Sequence, residues 1–337
     1  MSDDDHPDRA HQHRDHPFGG RPAGDQPAGD NGYEDHRHHL FGVAYRMLGS
    51  VADAEDVAQD AWLRWSQVDA GAVQDQRAFL TTVVSRLALD RLRSAHHRRE
   101  TYVGPWLPEP LPTGPAGRDR VFGAAEGAGP EEAAELADSL TFAFLTLLDR
   151  LEPDERVVLL LHDVFGYRFG EIAHKVQRSE TGCRQLASRA RRRLRAERAS
   201  STARGDARPS PEVVDGFLTA LVTGDIDGVL GALAPDVVLV SDGGPHHHAA
   251  RRPVIGARRV GRLLVNLGGR TPAGAGFERL DINGEPGVLV TVDGAPFATI
   301  GLGGAPEGID RIWFVRNPDK LAHLARRDGD PLSPGPR

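Results

Sequence analysis

Along residues 33–99 the apolar positions recur with a helical period. Phe41, Ala44, Tyr45 and Leu48 fall at i, i+3, i+4 and i+7, one face of a helix that Gly49-Ser50 breaks. A second helix is predicted from Asp53, with acidic residues in its first turn where the helix dipole favours them. Val57, Ala61 and Trp65 form its apolar face, and Asp56, Gln59 and Asp60 its polar one. A third helix spans about 75–94, with Phe79, Leu80, Val83, Val84, Leu87 and Leu92 as its buried stripe, and ends in a basic run at Arg91, Arg93, Arg98 and Arg99. Prolines between 101 and 130 forbid a helix. That stretch nonetheless holds Tyr102, Trp106 and Leu107, which a pure spacer has no use for, so something should bind them.

Helical periodicity returns over 131–200. Leu140, Phe144, Leu147, Leu148 and Leu151 mark one helix. Pro153 suits the first turn of the next, which continues through Val157, Leu160, Leu161 and Val164 until Gly166 closes it. Phe169–Val176, the turn Gln177-Arg178-Ser179 and a last helix from Glu180 have helix-turn-helix spacing, with Ser179 as N-cap. Cys183, Leu186, Ala187, Ala190 and Leu194 are its inner face. After a linker at 201–211 the texture changes. A helix is expected over 212–233, a strand at 237–240 and a helix over 257–267. Strands follow at 277–282, 288–292, 297–302 and 309–315, with Asp293-Gly294 as a hairpin turn. The fold class expected is multidomain: two all-α domains, the second carrying the helix-turn-helix, followed by an α+β domain whose antiparallel strands curve around its helices.

Composition narrows the classes. The 337 residues predict two or three domains. Glycine (39) and proline (24) together run high, which fits linkers and tails beside the folded parts. Residues 1–32 carry almost no large apolar side chains and are read as a disordered tail, as are residues 328–337. The tail lacks the apolar core of a secretory signal, and no apolar run is long enough for a membrane span. His6, His11, His13 and His16 could be read as metal ligands, but a solvated low-complexity tail is the preferred reading, and no metal or cofactor is expected. A single cysteine, Cys183, excludes an internal disulfide framework and suits the reducing cytoplasm.

The net charge of −7 argues against a nucleic-acid coat protein, yet it hides a local patch. From Gly170 to Ala199 there are nine Lys/Arg against three Glu. Such a stripe on the helix that ends a helix-turn-helix is an electrostatic footprint for DNA phosphate, and Arg or Gln in its N-terminal half can reach base edges in the major groove. The acidic helix at 53–65 is, taken alone, an ordinary amphipathic helix; beside a basic helix end and a helix-turn-helix it becomes a docking candidate.

Met47-Leu48-Gly49-Ser50, Asp53 to Asp60 and Trp62-Leu63-Arg64-Trp65 resemble domain two of extracytoplasmic-function RNA polymerase sigma factors. Tyr167 to Ala173 and Cys183 to Ala190 resemble their domain four. Trp106-Leu107-Pro108-Glu109-Pro110 is similar to the linker of the sigma-J type, the subgroup with a C-terminal SnoaL-like, cone-shaped domain. Two further motifs of that extension are matched by Asp242-Gly243-Gly244 and Asn317-Pro318-Asp319-Lys320-Leu321. The resemblance spans about residues 33–325. Pro245 stands where a third glycine is usual, and Gly182 where alanine is common, at a cost of roughly 1 kcal/mol.

The resemblance implies domain two at 33–100, the linker at 101–130, domain four at 131–200 and the SnoaL-like domain at 212–327. It implies docking on the β′ clamp helices of core polymerase through Asp53, Asp56, Gln59, Asp60, Leu63 and Arg64, with domain four at the β flap. Arg86, Asp90, Arg91, Arg93, Arg98 and Arg99 would engage the minus-ten element. Arg184, Gln185, Ser188 and Arg189 would read the minus-thirty-five element, with Arg178, Ser179, Arg191 and Arg192 near its phosphates. The SnoaL-like domain would regulate in cis by packing on domain two or on the linker at Trp106, and a small unnamed ligand in its pocket could bias this. Asp242, His246, His247, His248, Asp293 and Asp310 are the residues an enzymatic reading would use, but three consecutive histidines in a Gly/Pro loop suit a metal poorly, and no catalysis is expected. A helix-turn-helix regulator acting without polymerase and a fused SnoaL-like enzyme are the alternatives.

Overall fold

The computed structural model describes residues 33–99, 102, 104–113, 139–200 and 208–325. The expected tails, most of the expected linker and the start of the 131–200 segment lie outside these residues.

Among the described residues, seven helices form the N-terminal half: α1 (Tyr33–Leu48), α2 (Val51–Trp65), α3 (Gln76–Arg99), α4 (Phe142–Leu148), α5 (Pro153–Leu159), α6 (Phe169–Val176) and α7 (Glu180–Ser200). A wider π turn at Leu160–Val164 continues α5. α2 begins two residues earlier than the sequence predicts, because Ser50 is its N-cap and accepts from the Asp53 amide at 3.1 Å. α3 runs five residues longer than predicted, since nothing between Ser94 and Arg99 breaks a helix. In α4 the buried face is Phe142, Leu145 and Leu148, so Phe144 and Leu147 are half-buried rather than central. One continuous apolar core joins α1–α3 to α5–α7, from Tyr33 and Leu40 through Trp65 and Leu92 to Cys183 and Ala190.

The C-terminal half has α8 (Pro211–Thr223), α9 (Ile226–Ala232), β1 (Leu233–Asp242), β2 (Val254–Ile255), α10 (Ala257–Gly268), β3 (Ala275–Ile282), β4 (Glu285–Val292), β5 (Ala295–Ala305), β6 (Gly308–Val315) and the short α11 (Pro318–Leu321). The single helix expected over 212–233 is two. Gly224 leaves α8 at a positive φ, and the Asp225 carboxylate accepts from the Asp227 and Gly228 amides to start α9. The sheet order is β2-β1-β6-β5-β4-β3. It is not purely antiparallel, as the run of strands suggests: β1 pairs with β6 in parallel. That pairing sets Asp242 opposite Val315, so two motifs 75 positions apart in sequence meet at one sheet end. Val214, Phe217, Val260 and Leu264 of the helices pack on Leu239, Ile300, Leu302 and Ile312 of the strands.

Candidate nucleic acid interface and interdomain clasp

The polar face of α2 is a single surface. At 100° per residue, Asp53, Asp56, Gln59, Asp60, Leu63 and Arg64 fall within about 140° of the helix circumference. Leu63, near the centre, is 45% exposed. A single exposed leucine among charged groups is ordinary for a solvated helix face, so the geometry brings the expected contact residues onto one surface without assigning it a partner. Two of its acids are already engaged: Arg91 of α3 donates to Asp53 at 2.7 Å and to Asp56 at 2.6 Å. The residue expected at the minus-ten element thus braces the expected polymerase face.

The other α3 candidates point toward α5 and α6. Arg86 donates to the Lys175 and His174 carbonyls at 2.9 and 2.8 Å, closing the C-terminal end of α6. Arg93 donates to Asp154 at 2.9 Å, and Arg178 reaches the same Asp154 oxygen at 2.9 Å. Lys175 is buried; its Nζ donates to Thr82 Oγ1 (2.7 Å) and the Ala78 carbonyl (3.0 Å), and burial lowers its pKa. Asp90 is exposed, and the side chains of Arg98 and Arg99 lie outside the described residues.

α7 presents Arg184, Gln185, Ser188 and Arg192 within about 100° of one outward face, with Ser188 central. Ser179 accepts from the Gly182 amide at 3.1 Å, and the positive φ of Gln177 makes the preceding turn. The arginines are tethered. Arg184 pairs with Glu180, Arg191 with Asp163 (2.9 Å), Arg189 with Glu155 (3.4 Å), and Arg193 with Glu155 (3.0 Å) and Glu152 (3.6 Å). Among the described residues, Arg192 makes no ion pair. Burial of Cys183 raises its thiol pKa and keeps it in the core.

Behind these helices the linker is clasped. Leu107 is fully buried among Phe142, Ile282, Trp313 and Leu321. Its amide donates to Asp242 Oδ2 at 2.9 Å and its carbonyl accepts from Lys320 Nζ. Asp242 also accepts from Lys320 (2.7 Å), Tyr102 Oη (2.6 Å) and the Gly244 amide (3.0 Å), so four donors saturate its carboxylate. Lys320 Nζ sits 4.1 Å from the Trp106 ring centroid. Asn317 donates to Tyr102 Oη at 2.9 Å and caps α11 through the Asp319 amide. A Cβ on Gly244, whose φ is +59°, would lie 2.5 Å from Asn317, so the loop needs glycine there.

Glu109 carries the clasp into domain two. Its carboxylate accepts from Ser50 Oγ (2.7 Å) and from the Val51 and Ala52 amides (2.7 and 3.3 Å). It therefore lies on the N-terminus of α2, where backbone donors are unpaired and the dipole favours an anion. Burial pushes its pKa up while these hydrogen bonds and Lys320 pull it back. Trp106 covers Gly49, where a Cβ would meet the indole at 2.8 Å. Pro108 and Pro110 are buried, and Pro110 accepts from His323 at 2.8 Å.

Asn283, which the sequence reading passes over, closes the assembly. It is fully buried at a φ of +53°. Its Nδ2 donates to Tyr45 Oη (2.7 Å) and to the Leu140 carbonyl (3.0 Å), and its Oδ1 accepts from the Leu111 amide (2.9 Å). Tyr45 in turn donates to the Glu109 carbonyl at 2.6 Å. The available signal was the Asn283-Gly284 dipeptide between two strands, a hairpin turn by type. Phe142 of α4 stacks on Trp313 of β6, ring centroids 5.6 Å apart.

The residues of an enzymatic reading do not come together. Asp242 is spent in the clasp, His246, His247 and His248 are exposed in a loop, Asp293 sits at a hairpin tip, and Asp310 pairs with Arg311. Among the described residues no cluster of His, Cys, Asp or Glu could hold a metal, and no helix is long and apolar enough to cross a membrane.

Family models agree with the helical half: residues 33–98 match Sigma-70 region 2 and residues 141–194 match Sigma-70, region 4. The chain is 42% identical to the ECF RNA polymerase sigma factor SigJ of Mycobacterium tuberculosis, over 90% of this chain and 97% of that one. It is 32% identical to the probable ECF RNA polymerase sigma factor SigI of the same organism, over 86% and 93%. The crystal structure of Mycobacterium tuberculosis SigJ superposes with a TM-score of 0.64 and 37% identity, covering 86% of this chain and 97% of that one. With domains two and four in order, the linker between them and the C-terminal α+β domain all accounted for, this chain belongs to the ECF RNA polymerase sigma factors.

Proposed function

We propose that this sigma factor is held closed by its own C-terminal domain and that engaging a promoter requires that hold to be released. Asn283 carries the reading: one side chain of the C-terminal domain bonds domain two at Tyr45, the linker at Leu111 and the start of domain four at Leu140. Minus-ten and minus-thirty-five elements are centred about 25 base pairs, roughly 85 Å, apart on duplex DNA. Domains that share one core cannot read both at once. In the closed form Arg86 and Arg93 of α3 and Arg178 of the turn face each other across α5 and α6 instead of DNA.

On release, the Leu63-centred face of α2 docks on the β′ clamp helices of core polymerase, buttressed by Glu109. α3 engages the minus-ten element through Arg86, Arg91, Arg93 and the basic end at Arg98 and Arg99. Domain four sits at the β flap. Gln185, Ser188 and Arg184 read base edges; Arg189, expected among them, lies off that face beside Glu155 and joins Arg178, Arg191 and Arg192 in positioning phosphates. The C-terminal domain acts by contact, not by turnover; the four donors on Asp242 tie its carboxylate into the clasp. A sigma factor works where core polymerase is, which places this chain in the cytoplasm. The test is run-off transcription with core polymerase and Asn283→Ala. Product should rise several-fold over wild type; equal or lower output from a folded variant rejects the closed-state reading.

A further inference from the structure

Residues 251–270 carry six arginines, Arg251, Arg252, Arg258, Arg259, Arg262 and Arg270, and no Asp or Glu. All six are exposed, and none makes an ion pair among the described residues. Three lie on α10, whose opposite face buries Val260, Gly261 and Leu264 against the C-terminal core. Arg258, Arg259, Arg262 and the exposed Asn266 fall within about 100° of the helix circumference, a row about 12 Å long at 1.5 Å per residue.

The row is electrostatically unfavourable as it stands. Arg258 and Arg262 are like charges at i, i+4, and Arg259 and Arg262 at i, i+3, spacings at which like charges repel. Arg258 and Arg259 also occupy the first turn, the end of a helix that disfavours cations, and α10 has no acid there to compensate. Every other basic cluster described above has its own carboxylates. A rigid row of uncompensated guanidinium groups on an exposed helix is complementary to a regularly spaced external anion. The segment holds no aromatic residue, the type in which protein interfaces are enriched, and its one exposed large apolar side chain among the described residues is Ile255.

We infer that this face of α10 is a second DNA-binding surface, which grips duplex phosphates without reading sequence and so holds DNA outside the elements that domains two and four recognise. The inference rests on the chain acting at promoters as a sigma factor does. Arginine suits the task, because its planar fork pairs bidentately with phosphate oxygens.

The test uses the full chain, a fluorescent 40-base-pair duplex of random sequence and a salt titration. Wild type should bind with a steep loss of affinity as salt rises. Replacing Arg258, Arg259 and Arg262 together by alanine should lower affinity at least tenfold and flatten the slope of log K against log salt by about 2.7, three phosphate contacts at 0.9 each. Replacing the same three by lysine should retain most of the slope, which separates lost charge from lost fold. An alanine variant with wild-type affinity and slope overturns the proposal, also where that variant instead loses affinity for core polymerase, since the partner of the face would then be protein. An Arg184→Ala, Gln185→Ala variant run in parallel on promoter DNA with core polymerase separates two failures. If only this α7 variant loses promoter binding, the α10 surface fails alone; if neither does, the assignment of DNA contacts to domain four fails with it.

Discussion

Two arginine-rich helices, α7 and α10, face solvent from opposite halves of the chain, and they differ in what stands next to their charges. Of the six arginines on α7 from 184 to 195, four pair with carboxylates, three of them drawn by Glu152, Glu155 and Asp163 from outside the helix. The arginines of α10 have none among the described residues. Surface ion pairs are worth about 0–1 kcal/mol each, so the acids beside α7 cannot sequester it from a phosphate lattice. They orient its guanidinium groups, and on the closed-state proposal the packing of domain four on domain two, not burial of α7, is what prevents both promoter elements being read together. α10 needs no release. On the two proposals together, sequence-specific contact is conditional on conformation and sequence-independent contact is standing.

The sharpest way to break that contrast is to break the clasp. Asp242→Ala leaves Lys320 buried without its carboxylate and the Leu107 amide without an acceptor. Removing one partner of a buried pair costs about 3–5 kcal/mol. The urea midpoint should fall accordingly, and limited proteolysis should cut the linker near Leu107 faster. If the contrast is right, the released chain also gains sequence preference for promoter DNA, while its affinity for random duplex, set by α10, changes little. A large loss of stability with no gain in preference would mean that the clasp only holds the fold together.

A smaller effect separates the roles within α7. Gln185 and Ser188 lie on its outward face and can reach base edges, whereas Arg192, unpaired among the described residues, suits a phosphate. Gln185→Ala should cost about 1–3 kcal/mol of discrimination at one base pair, with binding to random DNA unchanged. Arg192→Ala should weaken all sequences alike and reduce the salt slope by about 1. Competition binding of holoenzyme to matched and single-mismatch duplexes measures both. Identical profiles for the two variants would dissolve the distinction.

How much of this was legible in the sequence follows from distance along the chain. The helices of domains two and four could be read because a 3.6-residue period is a local signal and Ser179 is a cap by type, whereas Ser50, which reads as part of a break, caps α2. The linker was legible as something bound, since Trp106 and Leu107 are too apolar for a spacer. The motif ends at Asp242 and Asn317 were legible as motifs, but not as neighbours, because the parallel pairing of β1 with β6 leaves no trace in either strand. Asn283 was illegible as a clasp: its type and its glycine neighbour signal a turn, while its three side-chain partners lie 143 to 238 residues away. The carboxylates beside α7 were missed for the same reason. Asp163 and Glu155 carry no local signal of their own, and only packing sets α5 and the π turn against α7.

The smallest effect tests whether those carboxylates matter at all. Glu155 is itself buried, at 3% side-chain exposure, while the Arg189 and Arg193 groups it holds are about half exposed. Its Oε2 also accepts weakly from the Glu152 amide at 3.4 Å, closing the first turn of α5. Glu155→Gln keeps the shape and an oxygen for that amide but removes the charge, so Arg189 and Arg193 gain freedom to face a phosphate. Because half-exposed pairs are typically worth about 0.5 kcal/mol, the two together amount to about 1 kcal/mol, and holoenzyme affinity for promoter DNA should rise by about fivefold. The gain should shrink as salt screens the original pairs. A decrease in affinity at unchanged stability would show instead that Glu155 aims these arginines at DNA, and that the paired state of α7 is its working geometry and not a restraint on it.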